Sequence, residues 1–172
     1  MDSTALKELQ APLKEKYREA PDAAVVVLKA EGKLGDSAIV CKVETGRALV
    51  EAGLHPATGG SGIEACSGDM LLEALVACAG VTLKAVATAL EFQLNGGRVR
   101  AEGELDFRGT LGVDRNAPVG FRAIRLAFDL DTKEPQERVD TLLRLTERYC
   151  VVLQTLRNQP PVAASINREA TA

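Results

Sequence analysis

Residues 69–92 read DMLLEALVACAGVTLKAVATALEF, and the repeat in this stretch decides the fold. At about 100° per residue, Glu73, Gly80, Lys84 and Glu91 fall on one narrow stripe, and the remainder is apolar. A helix of this kind is expected to be buried around most of its circumference and to stand at the centre of its fold. Asp69 or Ser67 is the expected cap. Gly80 and the many alanines of the stretch would permit close approach of another helix.

Working outward, residues 54–68 (LHPATGGSGIEACSG) form a Gly-rich loop with little periodicity. Before it, residues 23–32, 37–44 and 47–53 read as three short strands, separated by turns at Gly35-Asp36 and Thr45-Gly46. Residues 3–19 carry Leu6, Leu9 and Leu13 at helical spacing and end before Pro21, which predicts a surface helix. After the central helix, Asn95-Gly96-Gly97 is a turn. Residues 98–109 and 121–131 alternate as half-exposed strands, the second with a slip near Ala123 that marks a bulge. Residues 133–150 predict a helix with Pro135 near its first turn, and 161–169 a closing edge strand. The order is helix, three strands, loop, long helix, two strands, helix, strand. This fits an α+β fold built on antiparallel sheet, with residues 1–20 as a helical extension and 21–172 as the main domain.

Composition narrows the function. The chain has 172 residues, 46% hydrophobic and 26% charged, with net charge −3. Its 21 basic residues are spread along the sequence and only 3% of residues are aromatic, so neither a phosphate-binding patch nor a base-stacking platform for nucleic acid is expected. The N-terminus is charged and lacks the apolar core of a signal peptide. The longest low-charge run, around residues 74–83, is short for a bilayer span. A cytoplasmic protein with no membrane partner is therefore expected, and in that compartment four cysteines favour free thiols or a redox pair over structural disulfides. A single His without a close Cys pair gives no basis for a metal site. TGGSGIEACSGD lacks the spacing of a phosphate cradle, so no cofactor is expected.

Two thiols stand out. Cys78 lies about 140° round the helix from the Glu73/Lys84 stripe and faces inward, while Cys150 sits on the apolar face of the later helix, near its end. They could meet across the core, or simply fill it, since free cysteine is among the most often buried residues. A buried thiol is inert unless something positive stabilises its anion. With both cysteines read as lying away from helix N-termini, a cation is the expected partner. Cys66, just ahead of the long helix, is a rival nucleophile because the helix dipole favours an anion there. His55 in the Gly-rich loop is a candidate proton handler. Cys41 is expected to pack within its strand.

The two cysteine-bearing segments, SGDMLLEALVACAGVTL and TERYCVVLQTL, with FRAIRLAFDL between them, resemble the OsmC/Ohr family over roughly residues 23–169. The resemblance implies an intertwined homodimer whose sheets wrap the long helices, with a site at each end of the interface. It also implies reduction of organic hydroperoxides or hydrogen peroxide. Cys78 would be the peroxidatic thiol and Cys150 the resolving thiol, with electrons returned by a dithiol such as a lipoyl protein or a thioredoxin-like protein. Such peroxidases usually carry Pro-Glu at the start of the long helix, where Ser67 and Gly68 stand here. Asp69 is the nearest carboxylate. The family's activating Arg comes from an early strand, where Arg47 is the one available Arg and Lys33 a cationic substitute. A second implied possibility is a non-catalytic dimer that binds a small apolar or thiol ligand at the interface.

Overall fold

The computed structural model describes residues 2–20, 32–34, 40–44 and 49–166. Helix α1 (Ser3–Glu19) opens the chain and is started by Asp2, whose carboxylate accepts the Ala5 N–H at 2.8 Å. Strands β1 (Gly32–Leu34), β2 (Val40–Glu44) and β3 (Leu49–Gly53) follow as an antiparallel meander, as the three-strand pattern predicts. Most of the strand expected over 23–32 and both expected turns lie outside the described residues. The Gly-rich segment is more ordered than expected. Pro56–Thr58 forms a 3-10 turn, and β4 (Ala65–Cys66) joins β3 in parallel, so this sheet is not wholly antiparallel.

Helix α2 (Ser67–Ala89) starts two residues earlier than predicted, with Cys66 rather than Asp69 or Ser67 in the capping position. Strand β5 (Gly96–Leu105) leads through a short helix α3 (Phe107–Thr110) to β6 (Phe121–Asp131). These two strands pair antiparallel from Gly96↔Asp131 to Leu105↔Phe121. Glu104 faces Ala123 while Leu105 faces Phe121, which leaves Arg122 as the extra residue of a bulge at the expected slip. Gly103 makes room there, because a Cβ on it would sit 2.3 Å from the Phe121 ring. Strict alternation gives the ribbon two characters. Val99, Ala101, Ile124, Leu126 and Phe128 pack inward. On the other side, ion pairs link Arg100 to Asp129 at 2.9 Å and Arg125 to Glu104 at 2.6 Å.

The helix predicted over 133–150 forms, and a second helix that was not predicted follows it directly. Helix α4 spans Gln136–Tyr149 and α5 spans Val151–Arg157, and Cys150 is extended between them, at φ −72 and ψ 106. The closing strand expected over 161–169 does not form across residues 161–166, which are exposed and outside any ladder.

The core lies where α2 meets β5, β6 and the α4–α5 pair. Leu75, Ala79, Leu83 and Ala87 form one stripe at four-residue spacing and are buried. With Leu142, Cys150 and Phe92 they make two clusters joined through Phe128. The expected burial of α2 on nearly all sides is not met within one chain, for Val81 is 73% exposed and Ala74, Ala77 and Ala85 lie open. The physical reason is that the β5–β6 ribbon and the α4–α5 pair, with lesser contacts from α1 and β4, leave part of the helix surface uncovered. By length and apolar composition, α2 would even suffice to cross a membrane.

Candidate active site

The site begins with the far end of α2, because that end sets the angle of α4. Arg138 donates to the Leu90 carbonyl at 2.9 Å, a cation at a helix C-terminus. It also pairs with Glu134 at 3.1 Å. Glu134 accepts the Gln93 N–H at 2.8 Å, and the Thr132 hydroxyl donates to the Gln93 carbonyl at 2.6 Å. With α4 so anchored, its other end delivers Cys150 into the cluster of Leu75 and Ala79, beside Cys78.

The break after α4 is braced on both sides. The Gln154 side-chain amide donates to the Glu147 carbonyl at 2.8 Å, and Arg157 pairs with Glu147 at 3.1 Å. An extended residue at a helix start leaves the first N–H groups of the next helix without intrahelical partners. The backbone amides of Val152 and Val151 lie close enough to the Cys78 sulfur to lower its thiol. Thr82, one turn further along α2, adds its hydroxyl, and the Cys150 thiol adds a fourth donor.

These donors decide the protonation of the pair. Burial alone would raise the Cys78 thiol. The Val152 amide, the Cys150 thiol, the Val151 amide and the Thr82 hydroxyl together outweigh that, and hold it below the ordinary thiol range. Burial pushes the Cys150 thiol up, against the pull of the Leu153 and Val152 amides, and its neighbour Cys78 pushes the same way. One sulfur is thus favoured as the anion and the other as the proton-bearing donor. Cys150 is fully buried, whereas Cys78 is half-buried and open to approach. Cys66, Cys78 and Cys150 are all free thiols.

The cation expected to activate the thiol does not appear among the described residues. Among the described residues, the groups that pull Cys78 towards its anion are two amides, a thiol and a hydroxyl, with no Arg or Lys. Cys150, read from sequence as the end of its helix, is also the cap of α5. Arg47 lies outside the described residues. Asp69 does not join the site: it stands nine residues before Cys78, about 13 Å along α2 and roughly 180° around it, exposed beside Leu72, Glu73 and Val76.

The rival loop site does not assemble either. His55 accepts the Ala57 N–H on Nδ1 at 3.0 Å and stacks on Phe107 with ring centroids 4.9 Å apart. Cys66 faces the neighbourhood of Gly68, Phe121 and Leu105. No hydrogen bond joins His55 to Cys66 among the described residues. Cys66 also stands about 18 Å along α2 from Cys78. What the sequence reading missed is Thr82 and the Val151–Val152 amides. Thr82 was legible, since a residue four after Cys78 shares its helix face. The amides required knowing that a second helix begins directly after Cys150.

An open trough of about 770 Å³ runs between β6 and the α4–α5 pair, lined by Leu75, Leu83, Ile124, Phe128 and Leu156 with Arg122, Glu134 and Glu147 among its charged residues, and by neither cysteine. Its size and lining suit an apolar occupant.

Known proteins place this arrangement in a family. The model of the family described as "OsmC-like protein" matches residues 59–165, more than half of the chain. The fold matches the OsmC-like protein of Mycoplasma pneumoniae with a TM-score of 0.64 at 16% identity, over 78% of this chain and 89% of that one. An organic hydroperoxide resistance protein OsmC from Legionella pneumophila matches with 0.61 at 15% identity, over 78% and 93%. An organic hydroperoxide resistance protein from Elizabethkingia anophelis matches with 0.62 at 15% identity, over 79% and 91%. No curated protein matches the chain. The chain belongs to the OsmC-like protein family.

Proposed function

We propose that the protein is a thiol-dependent peroxidase that reduces organic hydroperoxides or hydrogen peroxide with Cys78 and Cys150. The observation that carries this reading is that the half-buried Cys78 and the fully buried Cys150 pack together in one cluster, the first thiol held below its ordinary value and the second pushed above it. The family membership supports it, as do structural neighbours named organic hydroperoxide resistance proteins. The Cys78 thiolate attacks one peroxide oxygen, the O–O bond breaks, and the departing alkoxide takes a proton to leave as alcohol. The resulting sulfenic acid condenses with the Cys150 thiol to a disulfide and releases water. A dithiol, from a lipoyl or thioredoxin-like protein, then reduces the disulfide and is itself oxidised. Free thiols of this kind suit the reducing cytoplasm.

The working form in this reading is a homodimer. Val81 on the uncovered side of α2 is 73% exposed, and Val151 and Tyr149 near Cys150 are 70% and 57% exposed. An apolar face of this extent calls for a partner surface, and a second copy covering it would also close the peroxide site from water. The trough favours one competing role, binding of a small apolar ligand without turnover.

The test is dithiol-dependent consumption of cumene hydroperoxide. The wild type is expected to turn over, Cys78→Ser to lose activity by at least about a thousandfold, as when a nucleophile is removed, and Cys150→Ser to react once and stall. Equal inactivity of wild type and Cys78→Ser, with both folded, would leave ligand binding as the better reading.

A further inference from the structure

We infer that Gln154 is a positioning residue: its side-chain amide stands in for a broken helical bond and so holds Cys150 in place beside Cys78. Within an α-helix each carbonyl accepts the N–H four residues on. For Glu147 that donor would be Val151. Among the described residues that bond is not made, because Cys150 is extended at φ −72 and ψ 106. The Gln154 side-chain amide takes its place and donates to the Glu147 carbonyl at 2.8 Å. That amide is itself aimed. Asn158 donates from its side chain to Gln154 Oε1 at 2.9 Å, which turns the Gln154 NH2 towards Glu147, and to the Gln154 carbonyl at 3.1 Å. Arg157 ties the Glu147 carboxylate at 3.1 Å. Gln154 is half-buried, whereas Arg157 and Asn158 are exposed.

The break has a competitor. Without the Gln154 donor, the Glu147 carbonyl regains a partner only from water or from the Val151 N–H, and the second course runs α4 straight on into α5. Helix α5 has seven residues, too few to keep a separate course by helical stability alone. Its present course packs Val152, Leu153 and Leu156 on the cluster of Leu75, Ala79 and Cys150, where Cys78 also packs. A straightened chain carries those side chains off along the α4 axis and takes Cys150 away from Cys78. A disulfide tolerates little error, since its Cα atoms must lie within about 7 Å and its Cβ atoms within about 4.5 Å. The inference deepens the proposed peroxidase and rests on Cys150 being its resolving thiol, yet its test needs no peroxide.

The experiment is the equilibrium between the Cys78–Cys150 dithiol and disulfide in glutathione buffers, read on the full chain by alkylation and peptide mass spectrometry. One glutathione disulfide breaks as the protein's disulfide forms, and the two thiol protons pass to two glutathione thiols. Wild type, Gln154→Met and Gln154→Lys are compared. Met keeps length and packing without a donor, and Lys keeps a donor of similar reach. Gln154→Met is expected to form the disulfide at least about fivefold less readily, the weight of one hydrogen bond. Gln154→Lys is expected to recover most of that loss. A brace of general stability would lower the melting temperature of both redox forms alike and leave this equilibrium unmoved. Should the Met variant misfold, Asn158→Ala, an exposed change that frees the Gln154 amide to turn, is expected to shift the equilibrium the same way. An unchanged equilibrium in folded Gln154→Met, or in Asn158→Ala where that variant stands in, would overturn the inference, whether or not the protein turns over peroxide. A shifted equilibrium in a protein that never consumes cumene hydroperoxide would instead sink the peroxidase reading and leave Gln154 in its role.

Discussion

A cysteine attacks peroxide only as the thiolate, and burial in apolar surroundings opposes that form. At Cys78 the groups among the described residues that oppose burial are neutral hydrogen-bond donors. At Cys150 burial prevails. The sign of each effect gives a pH prediction. Cys78, with its thiol held low, has the larger thiolate fraction at any pH through the titration, while Cys150, with its thiol pushed up, has the smaller. Alkylation of the reduced protein is therefore expected to modify Cys78 first and at lower pH, with Cys150 reacting only as the solution becomes alkaline. Residue-resolved labelling checks this, and the reverse order would contradict it. Both cysteines were legible in the sequence because helical periodicity turns both inward. Their unequal protonation was not, because it depends on which amides face which sulfur.

At the scale of elements, the break between α4 and α5 organises the site. The apolar pattern of TERYCVVLQTL runs on to Leu153, past the predicted helix end at residue 150, so periodicity alone does not show that a separate helix begins after α4. What ends it is a single extended residue braced by Gln154 and Arg157 on Glu147, a tertiary arrangement with no local signature such as Gly or Pro. The strand pair β5–β6 was legible to its bulge because its alternation is strict, and the inward side chains have one face to fill. The parallel pairing of β4 was not, since two residues carry no period. The break makes a sharp prediction at Val151, the first residue of α5. Proline is favoured at that position, where its missing N–H forfeits no helical bond, and Cys150 already has the extended backbone that a following proline requires. Val151→Pro is expected to keep or raise stability, by up to about 1 kcal/mol in denaturant unfolding. Yet it removes one donor from the Cys78 sulfur and is expected to slow Cys78 alkylation several-fold. Unchanged alkylation would show that this amide does not serve the thiolate.

At the scale of the whole molecule, one chain leaves its central helix half-covered. The sequence announced a helix apolar on nearly all sides, and one chain buries only the stripe of Leu75, Ala79, Leu83 and Ala87. Sequence pattern records total burial in the working assembly, without saying which chain supplies the cover. If a second copy does, Val81→Glu places a charge in that contact. It is expected to weaken self-association at least about tenfold in sedimentation equilibrium, since burying an unpaired charge is costly, and to depress peroxide turnover in parallel. A wild type that is monomeric at micromolar concentration and still active would contradict this reading.

The central claim is that Cys78 and Cys150 form one redox pair driven by peroxide, and mapping the oxidised protein tests it most directly. Reduced wild type is treated with one equivalent of cumene hydroperoxide, quenched with an alkylating agent and digested for mass spectrometry. The account predicts a single Cys78–Cys150 disulfide, two hydrogens lighter than the dithiol, with Cys66 recovered alkylated. Recovery of Cys78 and Cys150 as free thiols, or a disulfide that engages Cys66 instead, would contradict it.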